Sequence, residues 1–222
     1  MSLNTLEEIA EYIVSDGKGI LAADESNPTC GKRFDSIGVE STESNRRDYR
    51  EMLFRSSGMK DNIGGVILFD ETIRQNAQDG TPLVELIKNQ GALPGIKVDK
   101  GLAPLDSSPE ETLTQGLDGL DERCKEYFTF GAKFTKWRAV IKISDEIPTD
   151  VCIQANMEAL ARYSQNRKAK RLDVERAFYE RARASESKAA QDLVETTRSR
   201  PEPRWTSDGD ADDARWTATF LL

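Results

Sequence analysis

Five lysines lie in or beside apolar segments of the strand type, where lysine is uncommon. They are Lys97, Lys100, Lys133, Lys136 and Lys142. An amine held in a dry pocket or beside other cations has a lowered pKa, so it can attack a carbonyl carbon to form a Schiff base; a lysine can also bind phosphate. Because alternate side chains of a strand point to opposite faces, half of these lysines can instead simply reach solvent. Lys97 and Lys136 are the strongest functional candidates.

Other charged side chains offer acid/base and anion-binding chemistry. Asp24 and Asp99 each come late in an apolar run, which makes them candidates for general acid/base catalysis. Capping of the following turn is the alternative, and the pattern alone favours it. The pair Lys32–Arg33 can hold an anion. The pair Arg46–Arg47 can do the same, although a solvated helix face explains it better.

The composition removes several kinds of site. The 222 residues contain no histidine, which excludes histidine metal ligands and the Ser-His-Asp and Cys-His forms of catalysis. The three cysteines, Cys30, Cys124 and Cys152, are odd in number and show no CxxC spacing, so we expect neither disulfides nor a thiolate zinc site. No metal and no cofactor are expected. The formal net charge of -8 argues against nucleic acid or an anionic membrane as partner.

The first fifteen residues lack a basic segment followed by a long apolar run. The sequence therefore predicts neither a signal peptide nor a transmembrane helix. A reducing cytoplasm is the expected location.

Strand-like and helix-like segments alternate four times over residues 3–165. The strand-like runs are residues 19–24, 64–70, 95–101 and 132–141. This alternation predicts a parallel sheet with right-handed crossovers. Charged residues late in the strands favour a (β/α)8 barrel over an open sheet, because barrel active sites form at the carboxyl ends of the strands. A closed barrel needs eight strands, whereas four are visible, so the fold class is α/β with an incomplete barrel.

Residues 166–222 have a different composition. They hold half of the arginines and a single glycine, Gly209. Residues 168–195 are rich in helix formers, whereas residues 198–213 are polar and lack an apolar period, which predicts a helical or disordered tail. Trp205, Trp216 and Phe220 have no evident partner. We place a domain boundary at about Gln165, between residues 3–165 and 166–222.

Several motifs resemble those of class I fructose-bisphosphate aldolase. They are residues 17–26 (GKGILAADES), 64–69 (GGVILF), 95–101 (GIKVDKG), 115–120 (QGLDGL) and 136–138 (KWR). They occur in the family's order across residues 3–165, about three quarters of the chain. Several long motifs in register are far more specific than a lone glycine-rich match.

The resemblance implies a (β/α)8 barrel that reversibly cleaves fructose 1,6-bisphosphate into dihydroxyacetone phosphate and glyceraldehyde 3-phosphate. The family works through a lysine Schiff base, without a metal, in glycolysis and gluconeogenesis. Asp24 would contact substrate hydroxyls and assist proton transfer, while Lys97 and Lys136 would supply positive charge beside the reacting carbon. The resemblance assigns phosphate binding to Ser26, Thr29, Lys32, Arg33 and Arg138. The family often has serine where Thr29 stands, so a hydroxyl is retained.

The resemblance stops after Gln165. The family's Ile-Val-Glu-Pro-Glu segment, which supplies a glutamate acid/base, does not occur in residues 166–222. The Leu-Leu-Lys-Pro-Asn segment with the Schiff-base lysine, the Ser-Gly-Gly phosphate loop and a late arginine do not occur there either. We therefore expect a chain of aldolase type with impaired or absent turnover. The alternative is a non-catalytic, truncated or frameshifted pseudo-aldolase, with or without a partner-binding helical tail.

An incomplete barrel also has consequences for association. Unpaired strand edges and an uncovered inner face expose backbone groups and apolar side chains to water. The sequence therefore predicts a chain that is marginally stable, homo-oligomeric or prone to aggregation. The family resemblance implies a small sugar phosphate as its partner.

Overall fold

The structure is a computed structural model that describes residue 3, residues 5–168 and residues 215–221. The strands are β1 (Gly19–Ala23), β2 (Ile63–Leu68), β3 (Leu93–Lys97), β4 (Leu102–Leu105), β5 (Ser108–Thr114), β6 (Phe134–Lys142) and β7 (Arg215–Leu221). The helices are α1 (Leu6–Ile13), α2 (Asn27–Asp35), α3 (Glu43–Phe54), α4 (Met59–Asn62), α5 (Asp70–Ile73), α6 (Leu83–Asn89), α7 (Leu120–Phe130) and α8 (Asp150–Lys168).

The main sheet has the strand order β1-β2-β3-β6-β7. Its first four strands are parallel, and β3 and β6 are in a register that sets Lys97 beside Lys136. Helices connect these strands, as parallel neighbours require. The four predicted strands are thus confirmed, and their layout agrees with an incomplete (β/α)8 barrel.

Strand β7 corrects the expectation of a purely helical or disordered tail. Residues 215–221 pair antiparallel with β6, from Lys136 opposite Leu221 to Lys142 opposite Arg215. The edge of β6 is therefore covered along its length, and one of the two predicted open edges is closed. Pairing with a strand more than 70 residues away leaves no local signal, which is why the sequence did not predict it. Residues 169–214, including Trp205 and the predicted tail helix, lie outside the described residues.

Two hydrophobic clusters hold the sheet in place. The larger one packs the helices against the sheet around Leu68, Ile96 and Trp137. The smaller one lies where α1 meets the sheet and contains Ile13 and Phe134. A capping box begins α1, because the Thr5 hydroxyl accepts from the Glu8 amide and the Glu8 carboxylate accepts from the Thr5 amide.

A small hairpin of β4 and β5 packs against both β6 of the sheet and α8. The Thr114 hydroxyl donates to the Arg138 carbonyl at 2.6 Å, and the buried Glu111 carboxylate accepts from the amide and hydroxyl of Thr149 at 2.8 and 2.6 Å. The sequence did not predict this hairpin. Through these hydrogen bonds the hairpin fixes the start of α8 relative to β6.

The buried face of α8 is partly polar. Ile153 and Met157 are 42% and 62% exposed. The core side instead carries Asn156 and Tyr163. The Asn156 amide can be buried because it donates to two backbone carbonyls.

Candidate functional site

A pocket of about 190 Å³ opens at the carboxyl ends of β1 and β3 and beside the first half of β6. Its lining residues are Ala22, Asp24, Glu25, Ser26, Thr29, Arg33, Lys97, Lys136 and Arg138. The structure thus brings together the site residues that the family resemblance assigned, except Lys32. Lys32 is exposed on α2 and does not line the pocket.

Asp24 and Lys136 form the central contact of the pocket. Lys136 Nζ donates to Asp24 Oδ2 at 2.7 Å, and the two side chains are only 12% and 10% exposed. Asp24 follows the last residue of β1, whereas Lys136 is the third residue of β6. A charge-assisted contact with little water around it holds both groups in defined positions.

Lys97 lies on the neighbouring strand β3, next to Lys136 in register. Its Nζ is 3.9 Å from Asp99 Oδ1 and 5.9 Å from the centre of the Phe69 ring. Asp99 is buried outside the pocket, and its Oδ1 accepts from the Gly101 amide at 3.4 Å. Such a contact fits the turn-capping interpretation of Asp99 better than an acid/base role.

The phosphate-binding candidates gather where β1 runs into α2. Arg33 donates to Glu25 Oε1 and to the Tyr49 hydroxyl, and the Glu25 carboxylate beside it raises the pKa of Arg33 above its usual range. The hydroxyls of Ser26 and Thr29 lie 3.0 Å apart at the first turn of α2. A helix N-terminus with two hydroxyls and an arginine is well suited to an anion.

Arg138 contributes a further cation from β6. Its Nε is buried and, within the described residues, has no hydrogen-bond partner. In the pair Arg46–Arg47, Arg46 serves a structural purpose. It binds the Glu71 carboxylate through Nε at 2.8 Å and Nη2 at 2.5 Å. The Glu71 hydrogen bonds raise the pKa of Arg46 above its usual range.

Sequence reasoning missed two members of this neighbourhood, Glu25 and Arg50. Glu25 lies inside the 17–26 motif, so its acidic side chain next to Asp24 was a visible signal. Arg50 contacts Glu25 from α3, and nothing in the local sequence indicates that contact. Cys124 packs against the main core cluster, as a structural side chain does.

The pocket combines four cationic side chains with two carboxylates and two hydroxyls. This set can bind the phosphate and hydroxyl groups of a small polar molecule and can polarise a carbonyl group. No group of described residues has the composition of a metal site. Within the same residues, no helix combines the length and apolar character that crossing a bilayer requires.

A parallel β/α sheet whose charged residues converge at the carboxyl ends of its strands is typical of β/α proteins, in barrels and in open sheets. The family model described as fructose-bisphosphate aldolase class-I matches residues 5–174. The chain therefore belongs to the class I fructose-bisphosphate aldolase family.

Individual relatives agree with this assignment. A probable class 1 fructose-bisphosphate aldolase of Xanthomonas campestris is 54% identical over 164 residues, 74% of this chain and 49% of that protein. Fructose-bisphosphate aldolase C-A of Danio rerio is 56% identical over 160 residues, 72% of this chain and 44% of that protein. The chain thus spans about half the length of the curated relatives it matches.

A solved structure is similar as well. Fructose-bisphosphate aldolase from Plasmodium falciparum, in complex with TRAP and a small-molecule inhibitor, matches with a TM-score of 0.69 and 50% identity. The match covers 71% of this chain and 46% of that one. The four parallel strands are thus half of an aldolase barrel.

Proposed function

We propose that this chain binds a sugar phosphate in the Asp24–Lys136 pocket and carries one part of the aldolase machinery, with turnover impaired or absent. The single observation that supports binding is the convergence of Asp24, Lys97, Lys136 and Arg138 with the first turn of α2 in one pocket. The proposed substrate class is fructose 1,6-bisphosphate or dihydroxyacetone phosphate, and the proposed location is the cytoplasm.

Each side chain has a distinct proposed role. Asp24 accepts hydrogen bonds from substrate hydroxyls and moves a proton during C–C cleavage. Lys97 and Lys136 place positive charge next to the carbonyl carbon. Arg33, Ser26 and Thr29 bind one phosphate, while Arg138 offers its unpartnered Nε to the same ligand or a second phosphate.

Covalent catalysis is the step that we expect to be weak. The Lys136 Nζ is engaged with the Asp24 carboxylate at 2.7 Å, which suits a charge-supplying group better than a nucleophile. Residues 166–222 do not contain the Leu-Leu-Lys-Pro-Asn segment that carries the family's Schiff-base lysine. Without a nucleophile the remaining charges bind and polarise the substrate but form no iminium.

Borohydride trapping with dihydroxyacetone phosphate tests this proposal. An amine that condenses with the ketone carbon loses water to give an iminium, and hydride from borohydride then fixes it as a stable secondary amine. We expect calorimetry to detect binding while intact mass and peptide mapping show no adduct. An adduct on Lys97, Lys136 or another lysine, with turnover in a coupled assay, would establish a working aldolase instead.

The absence of binding would favour the alternative of a non-catalytic chain. Its origin is testable at the level of the gene, because translating the coding DNA after the Gln165 codon in the other frames reveals a frameshift directly. Finding the Glu-Pro-Glu and Leu-Lys-Pro segments there would identify a frameshifted aldolase. A partner-binding role of residues 166–222 stays a prediction.

A further inference from the structure

Arg50 is a buried cation next to the pocket, although it does not line it. Its side chain is 1% exposed and reaches from α3 to the end of β1. Burying a guanidinium is unfavourable unless its donors find acceptors. The acceptors of Arg50 therefore indicate what this residue does.

The guanidinium binds the backbone on both sides of Asp24. Nε donates to the Ala23 carbonyl at 3.3 Å, and Nη2 donates to the Glu25 carbonyl at 2.7 Å. Ala23 is the last residue of β1, and Glu25 lies two residues beyond it, outside the pairing of β1 with β2. A carbonyl at a strand end needs a donor from another element, and Arg50 supplies it. The planar fork of an arginine donates to separate carbonyls from different nitrogens, whereas all donors of a lysine ammonium lie on a single nitrogen.

The same guanidinium also holds the Glu25 side chain. Nη2 is 3.2 Å from Glu25 Oε2, and the other carboxylate oxygen of Glu25 accepts from Arg33. Nη1 completes the set by donating to the buried Cys30 sulfur at 2.9 Å. Arg50 thus links the strand end to the phosphate-binding cation through one carboxylate.

Resting on the proposed function, we propose that Arg50 is a positioning residue: it fixes residues 23–25 so that Asp24 meets Lys136 and Glu25 meets Arg33. Asp24 and Arg33 line the pocket, and a ligand that contacts both needs their spacing to be set before it arrives. Displacement of the strand end by even 1 Å would break the 2.7 Å contact between Asp24 and Lys136.

The test compares Arg50→Lys with Arg46→Lys. Both substitutions keep a positive charge on α3, but the hydrogen bonds that Arg46 makes within the described part of the chain go to Glu71 and Ser41 and not to residues 23–25. We expect Arg50→Lys to raise the Kd for dihydroxyacetone phosphate about tenfold, and Arg46→Lys to change it less than about twofold. In an Asp24→Asn background, where the positioned carboxylate is gone, the effect of Arg50→Lys should shrink to about threefold or less.

A ligand-free measurement separates this proposal from the proposed function. In protein labelled with ¹³C at the lysine ε-carbon, the Lys136 signal is assigned by its loss in Lys136→Arg. The chemical shift of the Lys136 signal should change in Arg50→Lys and stay the same in Arg46→Lys. If the wild type binds no sugar phosphate and this signal still moves, the proposed function fails and the positioning role stands.

Two results would overturn the positioning role. One is an unchanged Lys136 signal in folded Arg50→Lys, and the other is an equal loss of affinity with and without the Asp24 carboxylate. If Arg50→Lys does not fold, Arg50→Gln is used, because it leaves no buried charge and donates to one carbonyl only. We expect the same change of the Lys136 signal in Arg50→Gln. Its absence in that variant would also overturn the positioning role.

Discussion

Lys136 Nζ lies 2.7 Å from Asp24 Oδ2, although 112 positions of sequence separate the two residues. The parallel sheet creates this contact by setting the end of β1 and the first half of β6 around one pocket. Both side chains are about nine-tenths buried, so each is the main counter-charge of the other. Removing one partner would therefore leave a buried charge without its counter-charge, which destabilises the fold.

The first prediction concerns this pair. Asp24→Asn leaves the Lys136 ammonium buried without its counter-charge, so we expect a loss of about 1–3 kcal/mol in the free energy of unfolding. Asp24→Asn combined with Lys136→Met should cost less than the sum of the single changes, since the double variant leaves no unpaired charge. Urea denaturation of the four proteins measures this cycle, and strictly additive losses would show that the pair is not coupled.

The second prediction concerns the buried Glu111 carboxylate. Burial opposes its ionisation, but the hydrogen bonds from Thr149 outweigh burial and hold the pKa of Glu111 below its usual 4.5. A carboxyl whose pKa is lower in the folded state stabilises the fold fully above the unfolded value. This stabilisation is lost as the pH falls through the folded-state value.

Glu111→Gln should therefore lower the Tm near neutral pH, and the difference from the wild type should shrink as the pH falls below about 4. Thermal unfolding between pH 3 and pH 7 measures it. The control is Glu110→Gln at the adjacent position, where the side chain is 74% exposed. A Tm difference that stays constant over this range would mean that Glu111 acts only through packing.

The sequence predicted the sheet well because each parallel strand is a short apolar run with its own local signal. Asp24, Lys97 and Lys136 were found for the same reason, since charge in or directly after an apolar run is conspicuous. The contact of Glu25 with Arg50 and the pairing of β7 join segments that are far apart in sequence. The β4–β5 hairpin is local, but β5 (SPEETLT) is mostly polar and offers no apolar run as a signal. Local propensity does not encode such partners, so these features needed the structure.

The third prediction concerns close packing at Gly95. A Cβ at this position would overlap the ring of Phe134, which fills the inner side of the sheet. Gly95→Ala should therefore lower the free energy of unfolding by about 1–3 kcal/mol, and adding Phe134→Leu should restore part of the loss. Gly19→Ala, whose Cβ would meet nothing within 4 Å, is the matched control on β1. Denaturant unfolding measures the free energy of unfolding of each variant. Equal losses of stability in Gly95→Ala and Gly19→Ala would contradict the packing argument.

The fourth prediction concerns β7 as the cover of the β6 edge. A chain that ends at residue 214 lacks the seven-residue ladder opposite Lys136–Lys142. The unpaired backbone groups of β6 should then exchange their amide hydrogens at least about tenfold faster, because an edge strand opens at lower free energy than a paired one.

Hydrogen-exchange mass spectrometry of peptides covering residues 134–142 measures this change. Peptides of β2 serve as the internal control, since that strand keeps both of its neighbours, β1 and β3. An exposed edge is also a template for pairing with other chains, so sedimentation should show more self-association in the shortened chain than in the full one. Unchanged exchange in β6 together with an unchanged association state would show that residues 215–221 do not protect this edge in solution.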